Sequence, residues 1–182
     1  MSAVRLVALG LGLGVLVGGI LGRLAMFVLI RLNPEQVGTV SDDGFRMGQF
    51  TLAGSFNLLV VTGIIGAIGG LVYAGARHLE FGPRWFRLSS VVLGAALPVG
   101  GMLVHPDGVD FDFLQPTALA IGLFVAIPAL YGLLIALAAE RWLPAPGSWH
   151  RLEPLRWVLR GGVTVVLVGA LVGLVSDVRL LV

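Results

Sequence analysis

Apolar residues fall in five long blocks separated by short polar stretches. A helix crossing a bilayer needs about 20 apolar residues, because each rises about 1.5 Å through a hydrocarbon layer about 30 Å thick. The blocks run from Leu6 to Ile30, Leu52 to Ala76, Leu88 to Val104, Thr117 to Ala139 and Val158 to Ser176. Each predicts a helix, since lipid offers no partner for backbone groups left open by a strand edge. The expected fold class is all-α: an integral membrane bundle of five transmembrane helices spanning 6–30, 52–76, 88–104, 117–139 and 158–176. Pro98 and Pro128 fall inside the third and fourth blocks and predict kinks.

The first block does not read as a secretory leader. Only Arg5 precedes it, and its apolar stretch of 17 residues before Arg23 is longer than the usual ~7–15. Gly22-Arg23-Leu24 is a poor cleavage context, so a retained helix is expected. The connecting stretches are short. Residues 1–182 therefore read as a single transmembrane domain with no soluble module.

The polar stretches set an orientation. The N-terminus, residues 77–87 and residues 140–160 hold eight arginines against three glutamates, net +5. Residues 31–51, 105–116 and the C-terminus hold three arginines against seven carboxylates, net −4. Arginine in excess on alternate loops places the N-terminus in the cytoplasm and the C-terminus outside. Trp142, Trp149 and Trp157 place the 140–157 loop along the cytoplasmic face, where amphipathic rings favour the interface.

Composition narrows the class. The chain is 57% hydrophobic and 12% charged, against about 45–50% and about 25% in soluble domains. That excludes a soluble enzyme, a nucleic-acid-binding domain and a disordered chain. The expected partner is the lipid bilayer of a bacterial plasma (inner) membrane, with a homo-oligomer or other membrane proteins beside it; no nucleic acid is expected. Cysteine is absent, which removes thiolate metal sites and cysteine nucleophiles.

Glycine is the second compositional signal, 27 of 182 residues. Gly10, Gly14, Gly18 and Gly22 recur four apart on the first helix; Gly66 and Gly70 lie on the second, Gly169 and Gly173 on the fifth. Lipid gives no hydrophobic drive for helices to associate, so small residues that admit a neighbouring backbone are expected to pack them. The same stripes suit an oligomeric interface. Val17-Gly18-Gly19-Ile20-Leu21 and Val99-Gly100-Gly101-Met102-Leu103 echo one another, as two copies of one helical hairpin would.

Few residues carry chemistry. Arg23 lies near the outer end of the first helix, about 26 Å from Leu6 at 1.5 Å per residue. It either snorkels to headgroups or pairs with an outer carboxylate. The candidates for that pair are Asp42 and Asp43 in one outer loop and Asp107 and Asp110 in the other. These loops read as solvated turns or helix caps; Asp107, Asp110 and Asp112 form a weak alternative site for a hard cation, without EF-hand spacing. Asn57, inside the second helix, reads as an interhelical hydrogen-bonding group or a polar site. His78, His105 and His150 sit at loop edges on two faces and cannot share one metal. No nucleophile elbow, zinc-protease or phosphate-loop pattern occurs, so neither catalytic activity nor a cofactor is expected.

Gly22-Arg23-Leu24-Ala25-Met26, the Asp42-Asp43-Gly44 stretch with Gly48, Phe50, Thr51 and Gly54, the Asp107-Gly108-Val109-Asp110-Phe111 motif and Leu123 through Pro128 with Tyr131-Gly132 resemble a family of uncharacterised multi-pass membrane proteins of GC-rich, actinobacterial-type bacteria. The resemblance covers most of the first four helices and implies membership without an activity. Gly18 through Arg23 is also similar to the opening of small fluoride channels, but with the arginine one step early, a fifth helix, and a third helix without their Phe/Thr break.

Two functions follow as expectations. One is a binding, accessory or scaffolding membrane protein. The alternative is a small-solute or ion carrier or channel using Arg23, Asn57 and the outer acidic loops.

Overall fold

The computed structural model describes residues 2–40, 46–104, 111, 113–143 and 153–181. The five apolar blocks are helices long and apolar enough to cross a membrane, and the protein is an all-α five-helix bundle. The first span begins as α1 (Ser2–Leu13), widens into a π-helical stretch (Gly14–Leu21), and resumes as α2 (Gly22–Leu32). The others are α3 (Leu52–Ala76), α4 (Arg84–Leu103), α5 (Thr117–Trp142) and α6 (Glu153–Leu181). Pro98 and Pro128 lie inside α4 and α5, each of which runs on through its proline.

Four spans outrun their apolar blocks. The first covers Ser2 to Leu32 rather than 6–30, α4 begins at Arg84 rather than Leu88, α5 ends at Trp142 rather than Ala139, and α6 covers Glu153–Leu181 rather than 158–176. Backbone hydrogen bonding does not stop where hydropathy does; charged residues continue a helix into the headgroup layer. α3 is capped by Thr51, whose Oγ1 accepts from the Gly54 N–H at 3.1 Å, and α5 starts after Pro116. Thr51 thus caps α3, whereas no side chain caps α5 at Pro116; Asp42, Asp43, Asp107, Asp110 and Asp112, read as possible caps, lie outside the described residues.

The bundle is organised by glycine. A Cβ at Gly10 would collide with the Gly66 carbonyl, one at Gly14 with the Thr62 carbonyl, and one at Gly70 with the Leu6 carbonyl. The backbones of α1 and α3 therefore touch directly, the close approach that replaces hydrophobic association in lipid. Gly18 packs on Thr62. The π stretch explains how one stripe stays on α3 so long. In an α-helix, residues four apart drift about 40° per step, because four residues overshoot a 3.6-residue turn. The wider, i→i+5-bonded turn reverses that drift. At Gly22 the helices have parted, with Leu58 Cδ2 at 4.0 Å.

α5 joins this pair through Tyr131, whose hydroxyl donates to the Gly66 carbonyl at 2.6 Å. α4 packs on α5 where Gly132 meets the Val91 carbonyl and Ala95, and α6 packs along α4. Two apolar clusters close the ends. One joins Leu6, Tyr73, Ile135, Ala136 and Ala139; the other joins Leu29, Val104, Phe111, Ile121 and Leu174. Chain start and chain end thus lie at opposite ends of the bundle.

Gly169 and Gly173 differ from the packed glycines of the first span and α3. A Cβ on either would meet nothing within 4 Å, and the same holds for Gly161 and Gly162. Their spacing matches that of the packed glycines, but on α6 they face open space among the described residues.

Candidate functional site

The charged groups gather at the end that carries Leu6. Glu140, at the end of α5, accepts from Arg84 Nε at 2.9 Å and Arg87 Nη2 at 3.2 Å. Arg87 also reaches Glu80, in the turn between α3 and α4, with Nε–Oε2 at 3.8 Å. Arg77 is buried beside them, and Tyr73 hydrogen-bonds the Glu80 carboxyl. Burial pushes Glu80 above the usual carboxylate range, against the opposing pull of Tyr73, Arg87 and Arg77. From α6, Arg160 Nε donates to the Leu79 carbonyl at 2.9 Å, and its guanidinium stands 4.5 Å from the Phe81 ring centroid and 5.0 Å from that of Trp157. These contacts tie the turn to four helices. They hold no nucleophile with a partnered base.

The opposite end is fastened by Asn33. Its Nδ2 donates to the carbonyls of Leu29 and Gln115, both at 2.8 Å, and its Oδ1 accepts from the Gln115 N–H at 2.9 Å. The side-chain amide thus pairs with a peptide group as another backbone would, joining the end of α2 to the start of α5. Asn33 is 2% exposed. Asn33 did not stand out in the sequence, and Tyr131 did so only as part of a motif without an assigned role; an Asn-Pro pair closing an apolar block was the available signal for Asn33.

The residues expected to carry chemistry are dispersed. Arg23 is half-buried on α2, with its guanidinium 6.0 Å from the Phe50 ring centroid. Among the described residues it makes no ion pair, and its Nε has no hydrogen-bond partner. Its expected partners Asp42, Asp43, Asp107 and Asp110, and the cation candidate Asp112, lie outside the described residues. Asn57 is exposed on α3, in the second turn after the Thr51 cap. Among the described residues no group of three metal-ligating side chains converges.

A groove of about 590 Å³ lies between the first span and α5, lined by Ala8, Leu9, Gly12, Leu16, Leu137 and Trp142 among others, whose side chains are apolar but for the indole N–H. A smaller recess of about 200 Å³, lined by Arg5, Leu9, Ala138, Trp142 and Leu143, adjoins it. Such walls suit hydrocarbon rather than a hydrated solute.

Fold and site together define a multi-pass α-helical membrane protein. No protein-family model, no curated protein and no solved structure matches the chain.

Proposed function

We propose that this is an accessory or scaffolding protein of a bacterial inner membrane, with its N-terminus in the cytoplasm, acting through helix–helix contact rather than catalysis. The motifs around Arg23 and Thr51 support placing it among the multi-pass proteins of GC-rich bacteria they resemble. The excess of arginine at the Leu6 end supports the orientation.

One observation carries the reading. The most apolar window of the first span is 39% buried within the chain, whereas that of α6 is 0% buried. α6 leans on α4 and is tethered by Arg160, yet Gly162, Gly169 and Gly173 stand open along it. Chains keep a glycine-bearing helix face where another transmembrane helix approaches. The occupant assigned to it is a helix of another membrane protein. A carrier needs polar groups converging near mid-membrane; the exposed Asn57 and the apolar groove give that alternative less support.

The chain has no cysteine, so Gly169→Cys creates a unique attachment point for a photocrosslinker in native membranes. A discrete protein adduct from Gly169→Cys, absent from Leu71→Cys on the exposed face of α3, is expected. Lipid adducts alone at both positions would sink the proposal. Solute flux into proteoliposomes of the purified chain would favour the carrier instead.

A further inference from the structure

We propose that the α1–α5 groove is a binding site for one anionic phospholipid, with an acyl chain along the groove and the phosphate at Arg5. The groove and the recess share Leu9, Ala138 and Trp142, so they form one continuous channel open to the side. From Arg5 to Leu16 the channel follows 11 residues of the first span, α1 and the start of the π-helical stretch, about 16 Å at 1.5 Å per residue. One leaflet of hydrocarbon is half of about 30 Å. The channel therefore runs from the interface to mid-bilayer, the reach of a single acyl chain.

Its lining suits a hydrocarbon chain. From Ala8 to Leu16, about 12 Å of helix at 1.5 Å per residue, the side chains that line it are apolar. The channel exists because Ala8 and Gly12 withhold side chains where α5 presents Leu134, Leu137 and Ala138. A Cβ at Gly12 would meet nothing within 4 Å.

Charge at the mouth decides the headgroup. Arg5 is exposed at the interfacial end and forms no ion pair among the described residues. The carboxylate at the end of α5, Glu140, is already engaged by Arg84 and Arg87. A guanidinium left without a carboxylate beside an apolar channel matches a phosphate diester above an acyl chain. Trp142 flanks the same mouth, at the depth where indoles settle. The site stands whether or not α6 has a protein partner.

The test is native mass spectrometry of the full chain released from nanodiscs of equal phosphatidylglycerol and phosphatidylcholine. The wild type is expected to retain one lipid, with about a fivefold preference for phosphatidylglycerol, the worth of one arginine at an anionic surface. Gly12→Phe, whose Cβ meets nothing within 4 Å, puts a ring in the channel and should lose the lipid. Gly122→Phe, placed where a Cβ also meets nothing within 4 Å, should keep it. Arg5→Gln should retain a lipid with the preference reduced to about one. Retention by Gly12→Phe equal to wild type would overturn the site, and an undiminished preference in Arg5→Gln would overturn the assignment of the phosphate. Should Gly12→Phe fail to fold by circular dichroism, the Arg5→Gln comparison decides alone.

Discussion

Asn33→Ala is the substitution whose cost the structure specifies best. The wild-type side chain makes three hydrogen bonds, two of them to the N–H and carbonyl of Gln115. The Leu29 carbonyl keeps its bond from the Asn33 N–H at 3.1 Å, so truncation leaves only the Gln115 peptide groups unpaired. Each orphaned group costs about 1–3 kcal/mol when fully buried. Gln115 is on the exposed side and water can reach it, so the pair should cost about 2 kcal/mol rather than the upper bound. That exceeds the ~0.6 kcal/mol average for interhelical hydrogen bonds in membranes, where the alternative state finds other partners. Reversible unfolding in mixed micelles, followed by tryptophan fluorescence, measures it. Asn33→Asp provides a second arm. Its carboxylate can accept from the Gln115 N–H but would face two carbonyls with no proton to give. Its pKa in the folded state is thereby raised above the unfolded value. The sign is fixed: stability is retained below the ordinary carboxylate range and lost as pH rises through the folded value. Asn33→Asp should thus approach wild type on acidification, which Asn33→Ala cannot do. A loss for Asn33→Ala within about 0.5 kcal/mol, the noise of a surface substitution, would refute the reasoning.

Three further outcomes follow from the same contacts. Gly66→Ala drives a Cβ into the Gly10 carbonyl and to 2.7 Å from Gly14 Cα, so it should cost about 1–3 kcal/mol by overpacking in the same unfolding assay, while Gly122→Ala, with open space, should cost nothing measurable. Glu80 holds its proton more tightly folded than unfolded, so its contribution is full at acid pH and is lost as pH rises through its raised value; Glu80→Gln should flatten that decline, and an unchanged pH profile would contradict it. Arg23→Ala tests the outer ion pair: a drop in melting temperature at low salt that shrinks at high salt supports a partly exposed pair, whereas no drop leaves headgroup snorkelling.

What the chain showed of its fold beforehand depended on which interactions are local. The five spans were legible because lipid forces the same solution on every long apolar block. The helix ends were less so: hydropathy falls at Arg84, Arg87, Glu153 and Arg179, but backbone hydrogen bonding continues through all four positions. A glycine stripe tells that a helix can be approached closely, not what approaches it. Gly10 and Gly66 meet each other, while Gly169 and Gly173, spaced just as regularly, meet nothing among the described residues. The fastenings were invisible for a different reason. Asn33 finds Gln115 across 82 residues and Tyr131 finds Gly66 across 65, and nothing in either residue's neighbourhood names its partner. The groove was hardest of all, because it is made by what Ala8 and Gly12 lack. A missing side chain becomes a groove only when α5 is laid beside it, and that placement is fixed by Tyr131 and by Ile135, Ala136 and Ala139 packed on Leu6, residues that belong to no local motif. In a chain this poor in polar groups, specificity is therefore carried by absences of volume on helix faces, and a search for its function belongs on open faces such as the α1–α5 channel and the middle of α6.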